Sequence, residues 1–212
     1  MIAVMRKLSL QERNDVDLLR RYTAGEEDAF HELVGRYKDS LYFFLRKFLG
    51  RRDLVEDVFQ ETFLQLFVSR DSFDTTRPLQ PWLFTIAANK AKDALRRGKR
   101  IAAVTLGSMV DSDEVSTDDL LNTIACDRRM PCDDMITTET ASCVGQVIAN
   151  MPEKLREILL LAYFERFSYK QMARILSIPI GTVKSRLHSA VKRFAREWKA
   201  SSTGEMAYEF NR

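Results

Sequence analysis

Histidine, cysteine, glycine and proline are all scarce in this 212-residue chain, with two His, three Cys, eight Gly and five Pro. Each scarcity removes a class of protein. Cys126, Cys132 and Cys143 are odd in number, form no CxxC pair and have no histidine close in sequence. That pattern is a poor disulfide or zinc framework, so no metal is expected and the simplest state is free thiols in a reducing compartment. Few Gly and Pro favour helices over a turn-rich sheet protein. No apolar run nears the roughly 18 residues a membrane span needs; the longest clear one covers 158–164. Residues 1–10 are too short and too polar for a secretory signal, so a cytoplasmic protein without membrane insertion is expected. Absent too are a paired-carboxylate metal motif, a Gly-rich phosphate loop and a nucleophile elbow. The expectation is therefore no enzyme, no cofactor and no small-molecule substrate.

What is present is segregated charge. The formal net charge is only +3, yet residues 89–100 carry six Lys/Arg against one acid and residues 166–200 carry nine against one. Between them, residues 101–140 hold two Arg against nine acids. Two basic concentrations flanking an acidic connector suit nucleic-acid contact, whereas a single one is often only a solvated face.

The apolar spacing of the first hundred residues is helical. Val16, Leu18, Leu19 and Tyr22 lead to a break at Gly25, and then Ala29, Phe30, Leu33, Val34, Tyr37, Leu41, Phe44, Leu45 and Phe48 recur at helical intervals up to Gly50. Asp53 is the expected N-cap of a further helix, with Leu54, Val55, Val58, Phe59, Thr62, Phe63, Leu66 and Phe67 inward and Glu56, Asp57, Gln60 and Glu61 mainly outward. Turn chemistry at 69–81 precedes a helix from about 81 to 97, started by Pro81. Residues 101–138 have no sustained period and predict an extended linker, with room for a short helix at 117–124. A second unit starts near Glu139, with Val144, Val147, Ile148 and Met151 on one face. Pro152 then opens a helix burying Leu155, Ile158, Leu159 and Ala162. The predicted fold is all-α: two small helical domains (15–100 and 139–200) joined by an extended acidic linker (101–138), with tails at 1–14 and 201–212.

The second domain contains a helix-turn-helix pattern. Ser168 and Gln171 fit a capping box, residues 169–176 a supporting helix, Ser177-Ile178-Pro179-Ile180 the turn, and Gly181 onward the second helix. On that second helix Val183, Leu187, Ala190, Val191, Phe194 and Trp198 share an apolar face, opposed by Thr182, Ser185, Ser189, Lys192 and Arg196 and flanked by Arg186, His188 and Arg193. A helix fits the major groove, with side chains near its start reaching base edges and later cations meeting phosphates. Lys184, Ser185, Arg186, His188 and Ser189 are thus candidates for base contact, with Lys192, Arg193 and Arg196 for phosphate. The same pattern suits an ordinary basic surface helix.

In the first domain, Phe73, Trp82 and Phe84 precede Asn89, and Lys90, Lys92, Arg96, Arg97, Lys99 and Arg100 follow. Single strands are held by charge along the backbone and by pockets or stacking surfaces for splayed bases. An asparagine can read a base edge, while Trp82, beside Leu83 and Ile86, is expected to be packed.

Taken together, Asp57-Val58-Phe59-Gln60-Glu61-Thr62-Phe63, Trp82-Leu83, Ile86-Ala87, Asn89, Asp93 and Arg96-Arg97 resemble the promoter-melting domain of extracytoplasmic-function (ECF) sigma factors. Gly25, Ala29-Phe30, Leu33 and Tyr37 also fall where that family's pattern has them. Met151-Pro152-Glu153-Lys154-Leu155-Arg156-Glu157, Ser168-Tyr169, Ala173, Ile175-Leu176 and Gly181-Thr182-Val183-Lys184-Ser185-Arg186-Leu187 resemble its second DNA-binding domain. The resemblance implies a factor that binds core RNA polymerase and promoter DNA, helps open the duplex and carries no catalysis. It implies that Asp57, Gln60 and Glu61 dock on the polymerase clamp helices. It further implies that the 69–80 loop and Asn89 capture a flipped base of the -10 element while Lys90, Lys92, Arg96 and Arg97 hold the backbone. The second helix, with Thr182, Lys184, Ser185, Arg186, His188, Ser189, Lys192 and Arg193, would read the -35 element, and an anti-sigma factor is an expected partner. The acidic connector would thread toward the polymerase active centre or serve as a solvated tether. One departure stands out: where the family usually continues Arg-Ala-Arg, this chain has Ser189-Ala190-Val191. An activator ending in a helix-turn-helix is the rival, but the first hundred residues lack the strand and helix alternation of a receiver domain.

Overall fold

The computed structural model describes residues 10–105 and 138–209 as backbone, and 15–100 and 143–200 with side chains. Among the described residues there are eight α-helices and no strand. They are α1 (Leu10–Thr23), α2 (Glu27–Leu49), α3 (Arg52–Ser69), α4 (Leu79–Thr105), α5 (Thr138–Ala149), α6 (Glu153–Tyr163), α7 (Tyr169–Ile175) and α8 (Ile180–Glu209), with a 3₁₀ turn at Arg70–Ser72.

The helix boundaries follow local chemistry. Gly25 and Gly50 sit at φ +102° and +73°, where a side chain would be strained, and they end α1 and α2. The expected N-cap at Asp53 is displaced by two residues: α3 begins at Arg52, Arg51 occupies the cap, and Asp53 lies inside the first turn in an ion pair with Arg51. A first-turn carboxylate still complements the helix dipole, and the Arg51 guanidinium holds its pKa below the ordinary value. The helix around Pro81 is longer than expected at both ends, and helix also covers 10–14 and 201–209, which were expected to be tails. Residues 106–137, including most of the expected linker and its short helix, lie outside the described residues.

Helices α1–α4 pack around Leu18, Leu33, Leu41, Phe44, Phe48, Leu66, Leu83 and Phe84, all no more than 1% exposed. Asp15, also buried, ties α1 to α2 by accepting from Arg36 and the Tyr37 hydroxyl. Helices α5–α8 pack around Ile148, Met151, Ile158, Leu160, Leu161, Ile175 and Val183.

Although an extended linker suggests two separate beads, the two bundles are docked into one continuous apolar cluster. Phe84 of α4 meets Phe44 at 5.5 Å and Phe167, from the α6–α7 turn, at 5.2 Å. Phe43 meets Phe164 at 5.1 Å. The Arg156 guanidinium donates to the Phe48 carbonyl at the end of α2 (2.9 Å) and to Ala149 and Met151 carbonyls at the end of α5 (2.6 and 2.9 Å). One side chain therefore satisfies late carbonyls of a helix in each bundle, where such groups lack intrahelical partners.

Candidate nucleic-acid and polymerase interfaces

The first candidate face is built on the α3–α4 pair. Asp57 and Gln60 are exposed on α3, and the expected outward face continues through Leu64 (63% exposed) and Val68 (70%). This apolar extension was missed, although its spacing from Asp57 marks it as the same helical stripe. Phe67 was expected inward; it is 41% exposed, packed between Tyr22 (5.9 Å) and the overlying Arg70 guanidinium (4.3 Å). The large ring at the rim of the bundle is covered by a cation instead of by core.

Glu61 does not face outward alone. Its carboxylate lies 3.5 Å from Lys90 and 3.7 Å from Arg97, so a residue expected to meet polymerase neutralises two expected to meet DNA. Asn89 is exposed on α4 beside Lys90. Trp82 is half-buried and its ring lies 4.7 Å from Phe73, closing the loop that precedes α4. In that loop Asp74 accepts from the Thr76 amide and hydroxyl (3.0 and 2.6 Å) and pairs with Arg77 (2.8 Å), which together lower its pKa. Arg96 pairs with Asp93 on its own helix. Lys92 points to the second bundle, 3.4 Å from Glu157, and Lys99 lies 3.6 Å from Glu153.

The second candidate face is the helix-turn-helix. The capping box is present: the Ser168 amide donates to Gln171 Oε1 (2.9 Å) and Ser168 Oγ accepts from the Gln171 amide (3.4 Å). Ser177 turns the chain at φ +53°, and the Ile178 amide returns to the Ala173 carbonyl (3.0 Å). On α8, Lys184, Ser185, His188, Ser189, Lys192 and Arg196 are exposed, while Thr182, Arg186 and Arg193 are half-buried. Ser185 Oγ bonds the Thr182 carbonyl (3.1 Å), and Arg193 is engaged by Glu197 of the next turn. Val191, expected on the apolar face, is 39% exposed; the buried contacts come from Val183 and Ala190. It lies at the margin of a stripe whose centre those two residues occupy. Ser189, Lys192, Arg193, Arg196 and Lys199 line, with Leu155, an open groove of about 550 Å³. Among the described residues no group of His, Cys, Asp or Glu is arranged to hold a metal ion, and no helix is long and apolar enough to cross a membrane.

Comparisons with known proteins agree with both halves. Residues 33–101 match the family model for sigma-70 region 2, and residues 141–194 match that for sigma-70 region 4. The chain is 33% identical over 172 residues to the ECF RNA polymerase sigma factor SigW of Bacillus subtilis, covering 80% of this chain and 89% of that one. It is 30% identical over 184 residues to the ECF RNA polymerase sigma-E factor of Haemophilus influenzae, covering 85% and 93%. Two solved structures share the fold. One is the sigma factor RpoE of Bartonella quintana in complex with the anti-sigma factor NepR (TM-score 0.63, 23% identity, 80% of this chain and 96% of that one). The other is CnrH in complex with the cytosolic domain of CnrY (TM-score 0.60, 24% identity, 88% and 98%). The chain belongs to the ECF sigma factors of the sigma-70 family.

Proposed function

We propose that the chain is an alternative sigma factor that binds core RNA polymerase through the α3 stripe of Asp57, Gln60, Glu61, Leu64 and Val68. On this proposal it holds the opened -10 element with Asn89, Lys90, Lys92, Arg96 and Arg97. It reads the -35 element with Thr182, Lys184, Ser185, Arg186, His188 and Ser189, backed on phosphate by Lys192 and Arg193. The observation that carries this division is that α3 and α4 expose chemically different faces, acidic and apolar on one and basic with an exposed amide on the other. A polymerase surface and a nucleic-acid strand call for such different partners. The role needs no catalytic step of its own, and it places the protein in the cytoplasm with the polymerase. An anti-sigma factor is the expected inhibitory partner, as in the NepR complex of the structural neighbour.

Run-off transcription from randomised promoters, with core polymerase alone and with the protein added, tests the proposal. Discrete starts that need the protein support it. No starts, with retention of duplex DNA by the protein alone, would establish the rival activator function.

A further inference from the structure

A small cavity at the α1–α2 turn belongs to neither of the faces assigned above. It measures about 360 Å³, within the roughly 300–1,000 Å³ of small-ligand sites, and Tyr22, Glu27, Phe30, His31, Phe67 and Arg70 are among the residues that line it. Much of the lining is aromatic: Tyr22 stacks on Phe30 at 4.5 Å and meets Phe67 at 5.9 Å. Arg70 lies over Phe67 with its guanidinium 4.3 Å from the ring centre, and its Nη1 donates to the Phe67 carbonyl at 2.7 Å. The guanidinium plane is thus fixed on a ring, which reduces the entropy lost when another flat group stacks on it. The rest of the lining includes two acceptors. His31 Nδ1 lies 3.1 Å from the Glu27 carbonyl, so in the neutral ring Nδ1 carries the proton and Nε2 accepts, as the Glu27 carboxylate does. Arg70 also begins the 3₁₀ turn at the start of the 69–80 loop, and Arg20 of α1 donates to Thr75 within that loop at 3.3 Å. The cavity therefore adjoins the loop assigned to the unpaired -10 strand.

We propose that this cavity takes a second unpaired base of the -10 strand, neighbouring the one held by the 69–80 loop and Asn89, and that it favours a base with an exocyclic amino group. The proposal rests on the placing of that loop on the unpaired strand. Arginine planes and aromatic rings are general platforms for splayed bases, and the Arg70 charge suits a flanking phosphate. The acceptors of Glu27 and His31 match the amino groups of adenine, cytosine or guanine, as a carboxylate accepts from the cytosine amine. Thymine offers them only a ring N–H and sets its carbonyl oxygens against them, which leaves acceptors unpaired. An acid in the first turn of α2 also complements the helix dipole, so selectivity among bases, and not the presence of Glu27, identifies its role.

Fluorescence anisotropy of the full chain with dye-labelled single strands tests this, using a short oligothymidylate and the same strand carrying one central adenine or cytosine. The substituted strands should bind about fivefold more tightly. Glu27→Gln puts an amide donor where an acceptor stood and should lower the adenine-to-thymine affinity ratio about threefold. Loss of a negative charge strengthens both strands together, so the ratio separates base reading from electrostatics. Arg70→Lys keeps the charge but not the plane, and should weaken the adenine strand about fivefold while leaving the salt dependence as it was. Neither side chain is buried, and circular dichroism checks that both variants fold. Asn89→Ala is the reference: a ratio that moves with Asn89→Ala and not with Glu27→Gln places the reading in the loop and overturns the second pocket. Equal affinity for all three strands, or unchanged binding in both cavity variants, overturns it as well. Adenosine monophosphate supplies the same base without a strand and should saturate the protein only at far higher concentration. Micromolar saturation lost in Arg70→Lys, with the strand ratio unmoved by Glu27→Gln, would assign the cavity to a free nucleotide instead. No polymerase enters these measurements, so failure of the sigma function, seen as absent starts in run-off transcription, is distinct from failure of the pocket.

Discussion

The α7 helix spans only seven residues, yet it supports the helix proposed to enter the major groove, so its start should be a sensitive point. A helix that short has little cooperative stability of its own and depends on capping and packing. Packing comes from Met172 and Ile175, at 1% and 0% exposure, and capping comes from Ser168 and Gln171. Replacing an N-cap serine by alanine typically costs about 1 kcal/mol. Here the Ser168 Oγ to Gln171 amide distance is 3.4 Å, the long end of a hydrogen bond, whereas the return bond from the Ser168 amide is 2.9 Å. The expected cost of Ser168→Ala is therefore about 0.5–1 kcal/mol, and that of Gln171→Ala is similar because it removes the shorter bond. For a chain of this size 1 kcal/mol lowers Tm by about 2–4 °C. Urea unfolding of both single variants and the double variant gives the coupling. The box predicts a double variant less destabilised than the sum of the singles, by about 0.5 kcal/mol. Strict additivity, or a loss below about 0.2 kcal/mol in each single variant, would refute the argument that the cap holds α7 in place.

Other expected outcomes follow from single positions. Ser177→Gly should raise stability by about 0.5–1 kcal/mol in urea unfolding, since a serine at φ +53° carries left-handed strain that glycine does not. Burial pushes the Glu165 carboxyl up from 4.5 to about 7. Between those values the folded state holds a proton that the unfolded state has lost, so the contribution of Glu165 to stability is fully present below about pH 4.5 and is lost as pH rises through 7. Allowing for partial exposure, that decline should be about 1–2 kcal/mol, and Glu165→Gln should abolish it in urea midpoints measured from pH 5 to 8. Ser189→Arg should change the -35 sequences selected in run-off transcription, because it restores a cation to an exposed position on α8; unchanged selection would count against Ser189 facing bases.

Much of this architecture was legible because helical spacing is a local property. Ser168, Gln171 and Pro179 punctuate the helix-turn-helix as their chemistry demands, and Gly25 and Gly50 fall where the backbone turns left-handed. The docking of the bundles was not legible. Phe84 and Phe167 are 83 positions apart in the numbering, and neither sits in a pattern that names the other. Periodicity marked Ile158 and Leu159 as buried but not Glu157, because the rule assigns acids to the solvent side; a cation from another bundle overrides it. The run Ile158-Leu159-Leu160-Leu161 was the available signal, since a helix apolar on most sides needs neighbours on most sides. At Val191 and Phe67 the error was one of margin: both lie at the edge of an apolar stripe, where a rotation of a few tens of degrees decides exposure.

Glu61 connects the two proposed interfaces of the first bundle, and this gives a prediction that neither face gives alone. Its carboxylate sits 3.5 Å from Lys90 and 3.7 Å from Arg97, with Glu61 itself 37% exposed and Arg97 59%. Exposed pairs of this kind contribute little to folding, so Glu61→Gln should leave the urea midpoint nearly unchanged. Its effect should appear in binding, because removing one negative charge beside two cations raises the local potential that a phosphate backbone meets. Affinity for forked DNA should rise about two- to fivefold at low salt, with the gain shrinking as ionic strength increases. Affinity for core polymerase should fall in the same variant if Glu61 is part of the docking stripe. A fall in polymerase affinity with no change on DNA would show that the pairs do not restrain Lys90 and Arg97. A gain on DNA with unchanged polymerase affinity would remove Glu61 from the docking face and leave it as a local counter-charge of the promoter-binding helix.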